Sequence, residues 1–460
     1  MNTEKIFSDR NTIAPGTRIL FASVPADGHF NPLTGLAVHL KELGCDVRWY
    51  TSDIYADKIK KLGIPFYRLK NALDIGATHG DIDRIFPERN KLKGQIAKLK
   101  FDIINAFILR GPEYYEDIVD IYAGFQFELM IADITFGGIP FVKEKMNVPV
   151  IGVDIFPLPE TSKDLAPTGL GMTPSYTIAG KLKQQLLRFI SNKLLFAEPA
   201  KLMNDTFRKY GINAQGANIF DVMILKSTMV FQSGTPGFEY KRSDMSSHIH
   251  FVGPLLPYSK KKDDRPWFSE KLKDVDKVIL VTQGTVEKDV EKIIVPALEA
   301  FKDSNHLVIV TTGGSNTNEL RKRYPQNNFI IEDFIPFNDV MPIADVYITN
   351  GGYGGVLLSI QNKLPMLVAG VHEGKNEINA RIGYFKLGIN LKTEKPTARQ
   401  ILNGVTKILT NSTYQTNVKR LSEEFNRYDP GVLCQKYIAS VLRSAADHKS
   451  KLVEEEALIY

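Results

Sequence analysis

Between Phe334 and Arg381 the chain carries residue types suited to holding a nucleotide. Val346-Tyr-Ile-Thr reads as a short buried strand that reaches Asn350 and halts at Gly351-Gly352-Tyr353-Gly354-Gly355, after which a helical pattern follows. Glycines at a strand-to-helix turn let the backbone approach a ligand and point its amide N–H groups outward, and the helix adds its positive end. Such a nest suits an anion, above all a phosphate. The same glycines also serve plain turn geometry. The dinucleotide fingerprint G-x-G-x-x-G is not satisfied, because its last position counted from Gly352 is Leu357. Upstream, Phe334-Ile335-Pro336 lies at the end of the strand Phe329 to Ile331 and offers an aromatic ring to a flat base. Downstream, after the strand Met366 to Val368, Glu373 and Asn376 supply groups for sugar hydroxyls.

A second candidate lies more than 300 residues earlier. Arg18-Ile-Leu-Phe-Ala-Ser is a buried-strand run followed by Pro25-Ala-Asp-Gly-His-Phe-Asn-Pro, a helical pattern from Leu33 to Leu43, a glycine stop at Gly44 and a strand from Asp46 to Tyr50. This is a βαβ unit and implies a parallel sheet. Ligands of such sheets bind beyond the carboxyl ends of the strands, where His29 falls. Asp133 ends another strand, Glu128 to Asp133, and by itself reads as a cap or turn residue.

The elements that must position these groups come in two sets. At 460 residues, with 43% hydrophobic side chains, the chain suggests two domains with ample core. The expected division is a flexible leader 1–16, a first α/β domain 17–253, a proline- and charge-rich linker 254–276, and a second α/β domain 277–427. A C-terminal helix 428–445 and a polar tail 446–460 complete it. Residues 71–127 break the strand rhythm with lysine-rich helical stretches, read as a solvated face. The irregular stretch from Phe156 onward is expected to shape a pocket, with Phe156, Leu158, Leu170 and Met172 as lining candidates.

Composition excludes several classes. The net charge is +6, but 58 basic residues are scattered among 52 acidic ones, unlike a nucleic-acid-binding face. The two cysteines, Cys45 and Cys434, lie in apolar patterns and read as reduced, packed thiols of a cytoplasmic protein. The N-terminus lacks an apolar signal segment and no apolar run is long enough to span a bilayer, so no stable membrane insertion is expected. Asp81-Ile-Asp83 and Asp274-Val-Asp276 have the form of metal-binding acid pairs, but neither follows a buried strand. No zinc spacing and no nucleophile elbow is present, and no metal is expected.

The segment 334–381 resembles the donor-binding signature of family 1 nucleotide-sugar-dependent glycosyltransferases, the UDP-glycosyltransferase superfamily. Phe334 and Pro336, Ala344-Asp345, Gly351-Gly352-Tyr353-Gly354, Pro365 and Asn379-Ala380 match it. The early Gly28-His29 with Asn31-Pro32 matches the same superfamily's Gly-His-x-x-Pro start. Asn350 stands where the pattern has His, Gly355 for Thr, Leu358 for a ribose-binding Glu, and Gly374-Lys375-Asn376 for an acid-Gln pair. A microbial subgroup resembles this variant. The resemblance implies an α/β GT-B fold, two Rossmann-like domains with parallel sheets facing across a cleft, and a last helix returning to the first domain. It implies His29 as base oriented by Asp133, Gly284 and Thr285 as a phosphate-side loop, and an inverting transfer without metal.

The co-substrate implied is UDP-glucose or a related nucleotide sugar, the acceptor a small hydrophobic or aromatic alcohol, and the protein a monomer or homodimer. With Leu358 in the acidic position no carboxylate there accepts the ribose hydroxyls, which suggests loose discrimination between uridine and thymidine donors. Alternative readings are a UDP-N-acetylglucosamine epimerase-like enzyme, a lipid-acceptor glycosyltransferase whose basic stretch Lys91 to Lys100 exposes an apolar face, and a nucleotide-sugar-binding protein without catalysis.

Overall fold

Short runs of aliphatic and β-branched residues, each stopped by glycine, proline or a small polar residue, become parallel strands in two sheets. The computed structural model describes residues 12–78, 82–259, 267–273, 275–284, 287–372 and 374–457. In the first half β1 (Arg18–Ala22), β2 (Asp46–Thr51), β3 (Phe66–Arg68), β4 (Leu129–Asp133), β5 (Val150–Asp154), β6 (Met229–Ser233) and β7 (Ile249–Gly253) form one sheet in the order β3-β2-β1-β4-β5-β6-β7. In the second half β8 (Val278–Thr282), β9 (Leu307–Thr311), β10 (Phe329–Glu332), β11 (Val346–Thr349), β12 (Met366–Val368) and β13 (Gly388–Asn390) follow the order β10-β9-β8-β11-β12-β13. Central strands β4, β5, β8 and β9 are buried along their whole length, which is why they read as unbroken apolar runs. Both sheets are doubly wound, and each reverses its strand order at one point, between β1 and β4 in the first and between β8 and β11 in the second.

The helices that matter for the site are α1 (Asp27–Glu42), α2 (Gln95–Asp102), α3 (Arg110–Gly124), α4 (Ile178–Ile190), α5 (Ala197–Lys209), α6 (Tyr353–Gln361), α7 (Lys375–Tyr384) and α8 (Pro430–Ala457). Helix α1 begins at Asp27, not at Leu33 as the sequence suggests, with Pro32 inside it. Gly28 and Pro32 made its start look like a loop. A proline in the second turn removes only the amide that would bond the carbonyl of Gly28, so the helix continues through it. His29 therefore stands in the first turn of a helix.

Three boundaries also move. Ile13 is buried in the first core and the Gly16 amide donates to the Gly44 carbonyl at 2.8 Å, so packing begins inside the stretch taken as leader. Leu255 is buried in that core, and the Tyr258 amide donates to Thr34 Oγ1 at 2.8 Å, so the start of the expected linker belongs to the first half. Helix α8 runs past Ala446 to Ala457. Its Cys434, Ile438 and Val441 lie in the first core, carrying the chain back from the second half. Cys45 shares that core, where burial pushes its thiol up to about 11.

The two halves meet along the carboxyl edges of their sheets. Tyr353, at the start of α6, donates its hydroxyl to the Ser233 carbonyl at the end of β6 at 2.8 Å, and α6 touches α1.

Candidate active site

Both switch points carry candidate residues. At the first, β4 ends in Asp133, which is fully buried. An isolated buried carboxylate is costly, and this one is met on all sides. Val24 N–H donates to its Oδ2 at 2.8 Å, Thr135 N–H to Oδ1 at 3.0 Å, and the Thr135 hydroxyl also donates to Oδ1. The remaining partner is His29 Nδ1, 3.1 Å from Oδ1. An ionised carboxylate only accepts, so His29 Nδ1 carries the hydrogen and Nε2 keeps its lone pair. The His29 side chain is 14% exposed and reaches open space from the first turn of α1. Thr135 Oγ1, 3.2 Å from His29 Nδ1, completes a three-residue network that the sequence did not single out.

A cavity of about 240 Å³ opens against Thr135. Its walls include Leu99, Ile103, Phe107, Met203, Phe207 and Phe220. Ile103 to Ile108 form a π-helical turn between α2 and α3, a widened turn of the kind that often re-aims side chains at sites. The walls therefore come both from the lysine-rich stretch read as a solvated face and from the segment after Phe156, which supplies Pro159, Met203, Phe207 and Ile219, though none of the four lining candidates named from the sequence is among them. Leu158 is buried on the other face of the first sheet, in the cluster with Leu20, Met130 and Val230, and Leu170 is exposed. Phe156 lies beside the site instead, its ring centroid 5.6 Å from that of His29. The sequence signal that was passed over is the Ile103-Phe107 spacing of four, one helix face aimed inward.

At the second switch point the nest after β11 is formed. Gly351 holds φ +93°, and a Cβ there would lie 1.9 Å from Asn379 Oδ1. Gly352 and Gly354 face open space, with nothing within 4 Å of a built Cβ. Gly355 packs on the Tyr347 hydroxyl, 3.0 Å from its Cβ position. Helix α6 starts at Tyr353 without a side-chain cap, leaving its first amides to the open side. Gly284, with φ +79°, follows β8 alongside and packs on the Asn350 amide. Phe334 is 71% exposed at the end of β10, available to stack.

Four expected donor residues are occupied differently. The Asn350 side chain donates to the Gln283 carbonyl and is buried, tying the ends of β11 and β8 together beneath the nest. The Tyr353 side chain turns away from the nest into the contact between halves, where burial holds its phenol protonated as a donor to Ser233. Ile335 is buried in the second core, so only its backbone remains near Phe334. Asn376 Nδ2 donates to the Gly169 carbonyl at 2.6 Å, bound to a strap from the first half and not held out to a sugar. Thr285 and Glu373 lie outside the described residues. Beside Asn376, Glu377 Oε1 accepts from the Gly169 and Gly171 amides at 2.9 and 2.7 Å.

Among the described residues no three acidic, histidine or cysteine groups converge to hold a metal ion. Asp83 is paired with Arg89 at 2.7 Å, and Asp81 and Asp274 are outside the described residues.

With a doubly wound sheet on each side, a buried acid-histidine pair at one switch point and an amide nest at the other, comparison with known proteins gives a consistent answer. Residues 296–437 match the family described as erythromycin biosynthesis protein CIII-like, C-terminal domain. The 4'-demethylrebeccamycin synthase of Lentzea aerocolonigenes is 29% identical over 90% of this chain and 97% of its own. The chain is a glycosyltransferase similar to the family 1 nucleotide-sugar-dependent enzymes. UDP-glucosyltransferase 1 of Beauveria bassiana is 28% identical to this glycosyltransferase over 88% of this chain and 91% of its own. The crystal structure of the glycosyltransferase of kitacinnamycin shares the fold with a TM-score of 0.72 at 16% identity, covering 94% of this chain and all of that one. CalG4, the calicheamicin glycosyltransferase, gives 0.67 at 18% identity over 95% and 99%. This glycosyltransferase thus has the GT-B arrangement of two Rossmann-like α/β domains.

Proposed function

We propose that the enzyme transfers a hexose, glucose from UDP-glucose, to a hydroxyl of a small hydrophobic acceptor seated in the cavity against Thr135. The observation that carries this reading is the continuity of that apolar cavity with the His29–Asp133–Thr135 network. Relatives named UDP-glucosyltransferases support the donor. The acceptor hydroxyl gives its proton to His29 Nε2 as its oxygen attacks the anomeric carbon. The bond from that carbon to the diphosphate oxygen breaks, and UDP leaves with the electron pair. Attack from the side opposite the leaving group inverts the anomeric centre.

Asp133 stabilises the imidazolium that forms, through the Nδ1 contact. The amides of Gly352 to Gly355 and the positive end of α6 meet the charge gathering on the departing diphosphate. Phe334 stacks on the base, and Gly284 with Thr285 closes the phosphate side. Glu373 supplies a carboxylate for the sugar hydroxyls. The chemistry needs no metal or other cofactor, since the nest and helix supply the electrostatic term.

The test is an acceptor screen with UDP-glucose read by mass for a hexose increment. His29→Ala lowers product formation by roughly 10²- to 10⁴-fold and leaves UDP affinity nearly intact. Equal product from this variant would remove His29 as base, and sugar conversion without any acceptor would favour an epimerase. Turnover with TDP-glucose should fall within about a thousandfold of that with UDP-glucose, because Leu358 offers the ribose no carboxylate.

A further inference from the structure

Helix α4 is mounted with its polar side toward the protein. Gln184 is buried, accepting from the Ser175 amide at 2.8 Å and donating to the Asp164 carbonyl at 3.0 Å, and Arg188 donates to the Leu165 carbonyl. The apolar side chains face water instead. Ile178 is 82% exposed, Leu182 61%, Leu186 58% and Phe189 58%, and Leu194 in the following turn is 65% exposed. A surface helix ordinarily buries this stripe. An exposed contiguous stripe of this kind marks a contact with something apolar.

The charge around the stripe says what that is. From Leu165 to Ala197 the chain holds no Asp or Glu, while Lys181, Lys183, Arg188 and Lys193 all lie there. The π-helical turn Ser191–Leu195 and α5 border an open groove whose polar lining includes Lys193, Lys201 and Arg208, with one acid, Asp205, paired to Arg208 at 3.1 Å. A second helix repeats the composition. On α2, Ile96 and Leu99 are exposed among Lys91, Lys93, Lys98 and Lys100, with no acid between Glu88 and Asp102. Helix α5 packs against the π-helical turns that continue both α2 and α4, so it joins the two basic, apolar surfaces. Two copies meeting through this face would bring like charges together. Apolar side chains set among lysines, with the acids Asp102 and Asp205 paired to Arg89 and Arg208, complement a membrane whose headgroups are anionic.

We propose that the face built by α4 and α2 docks the enzyme on an anionic lipid membrane, so that a hydrophobic acceptor dissolved in the bilayer enters the cavity past Leu99. Leu99 is both exposed and part of the cavity wall. Among the described residues no helix is long and apolar enough to cross a membrane, which is consistent with a surface attachment. The docking stands on the exposed stripe and its charge alone; the entry route also rests on the acceptor reading above.

The docking is tested by sedimenting the full chain with vesicles made of equal parts phosphatidylcholine and phosphatidylglycerol, and with phosphatidylcholine alone. Sedimentation with the mixed vesicles, weakened roughly tenfold by high salt and absent with the neutral ones, is the expected result. The triple variant Leu182→Gln, Leu186→Gln, Phe189→Gln should lose on the order of a hundredfold in partitioning while keeping its melting temperature. No binding to either vesicle, equal binding to both, or a variant that binds as well as its parent overturns the docking. So does a solution dimer that the variant dissolves, because the face would then cover a second copy.

For the entry route, the variant should turn over a vesicle-dissolved acceptor more slowly than its parent and a water-soluble acceptor at the same rate. Equal rates on both overturn the route. If the parent transfers to no acceptor at all, the transferase reading fails, and the sedimentation still decides the docking.

Discussion

Arg381 Nη2 and Glu239 Oε2 meet at 2.9 Å, joining helix α7 of the second half to the segment after β6 of the first, and both side chains are buried. The guanidinium also reaches Glu377 Oε2 at 3.1 Å and lies 4.2 Å over the Tyr240 ring. Glu239 Oε1 accepts from the Leu158 amide at 2.9 Å, and Glu377 holds the strap at Gly169 and Gly171. One cation thus organises the contact between the halves. Removing a single partner of a buried pair leaves the other uncompensated. Glu239→Ala should destabilise the protein by about 3 to 5 kcal/mol, read as a lowered midpoint in urea. An unchanged midpoint would show that Glu377 alone satisfies the guanidinium.

Asp154, at the end of β5, is a buried acid in the opposite situation. Its Oδ1 accepts from the Phe156 amide at 3.1 Å, while Oδ2 has no hydrogen-bond partner. Burial first, and then the charge of Glu239, hold its pKa well above the ordinary 3.8, against the pull of Phe156 N–H, Arg242 and Arg381. The native state therefore binds this proton more tightly than the unfolded chain. Stability from this group is fully present below the ordinary aspartate value and is lost as pH rises toward the folded value. Asp154→Asn keeps the shape and removes the titration. The variant should melt above the parent at neutral pH, with the difference closing near pH 4. Melting curves across pH decide it, and a parent more stable than the variant at neutral pH would contradict the raised pKa.

The nest makes a paired prediction. In Gly351→Ala the new Cβ collides with Asn379 Oδ1, whose amide holds the Asn350 and Gly370 carbonyls at 3.2 and 2.9 Å, and φ +93° is strained for alanine. Stability should fall by about 2 kcal/mol or more. In Gly352→Ala the Cβ meets nothing and φ is −62°, so stability holds. That methyl group instead points into the space assigned to phosphate, and UDP affinity should drop by roughly tenfold. Calorimetric titration with UDP separates them. If Gly352→Ala binds UDP like the parent, the phosphates lie elsewhere.

What the sequence disclosed depended on how locally each feature is encoded. The parallel strands and the groups at their ends were legible, because a strand, its stop and the polar residue after it lie within a dozen residues. His29, Asp133 and Gly351 to Gly355 stand at switch points for this reason. The cavity was not legible. Its walls come from residues near 103, 135, 203 and 220, and only packing brings them together. Asn376 was assigned to a sugar because polar residues after a strand suggest ligands, yet its partner Gly169 is 207 residues away. Tyr353 sits inside the glycine motif, but its ring belongs to the contact with Ser233. Which side helix α4 turns to the protein was not legible either: it depends on Gln184 reaching the Asp164 and Ser175 carbonyls.

Asp133→Asn tests the dyad more finely than loss of the histidine. The carboxylate now accepts from Val24 N–H on one oxygen and from Thr135 N–H and His29 Nδ1 on the other. An asparagine of the same shape has only one oxygen. Turned toward His29, it preserves the tautomer but sets its NH2 group against the Val24 N–H, a buried donor facing a donor that costs about 1 to 3 kcal/mol. Turned toward Val24, it donates to Nδ1 and moves the imidazole hydrogen to Nε2, the nitrogen proposed to take the acceptor proton. Either way the residue that only accepts cannot be replaced by one that must donate. The variant should lose kcat by about 10³- to 10⁴-fold, with UDP affinity unchanged because the nest lies on the other sheet. Thr135→Val removes one donor to the same carboxylate without touching the tautomer, and a loss of roughly tenfold is expected. Equal losses for the two variants would mean that Asp133 acts by holding the fold of the β4 end, and not by orienting the base.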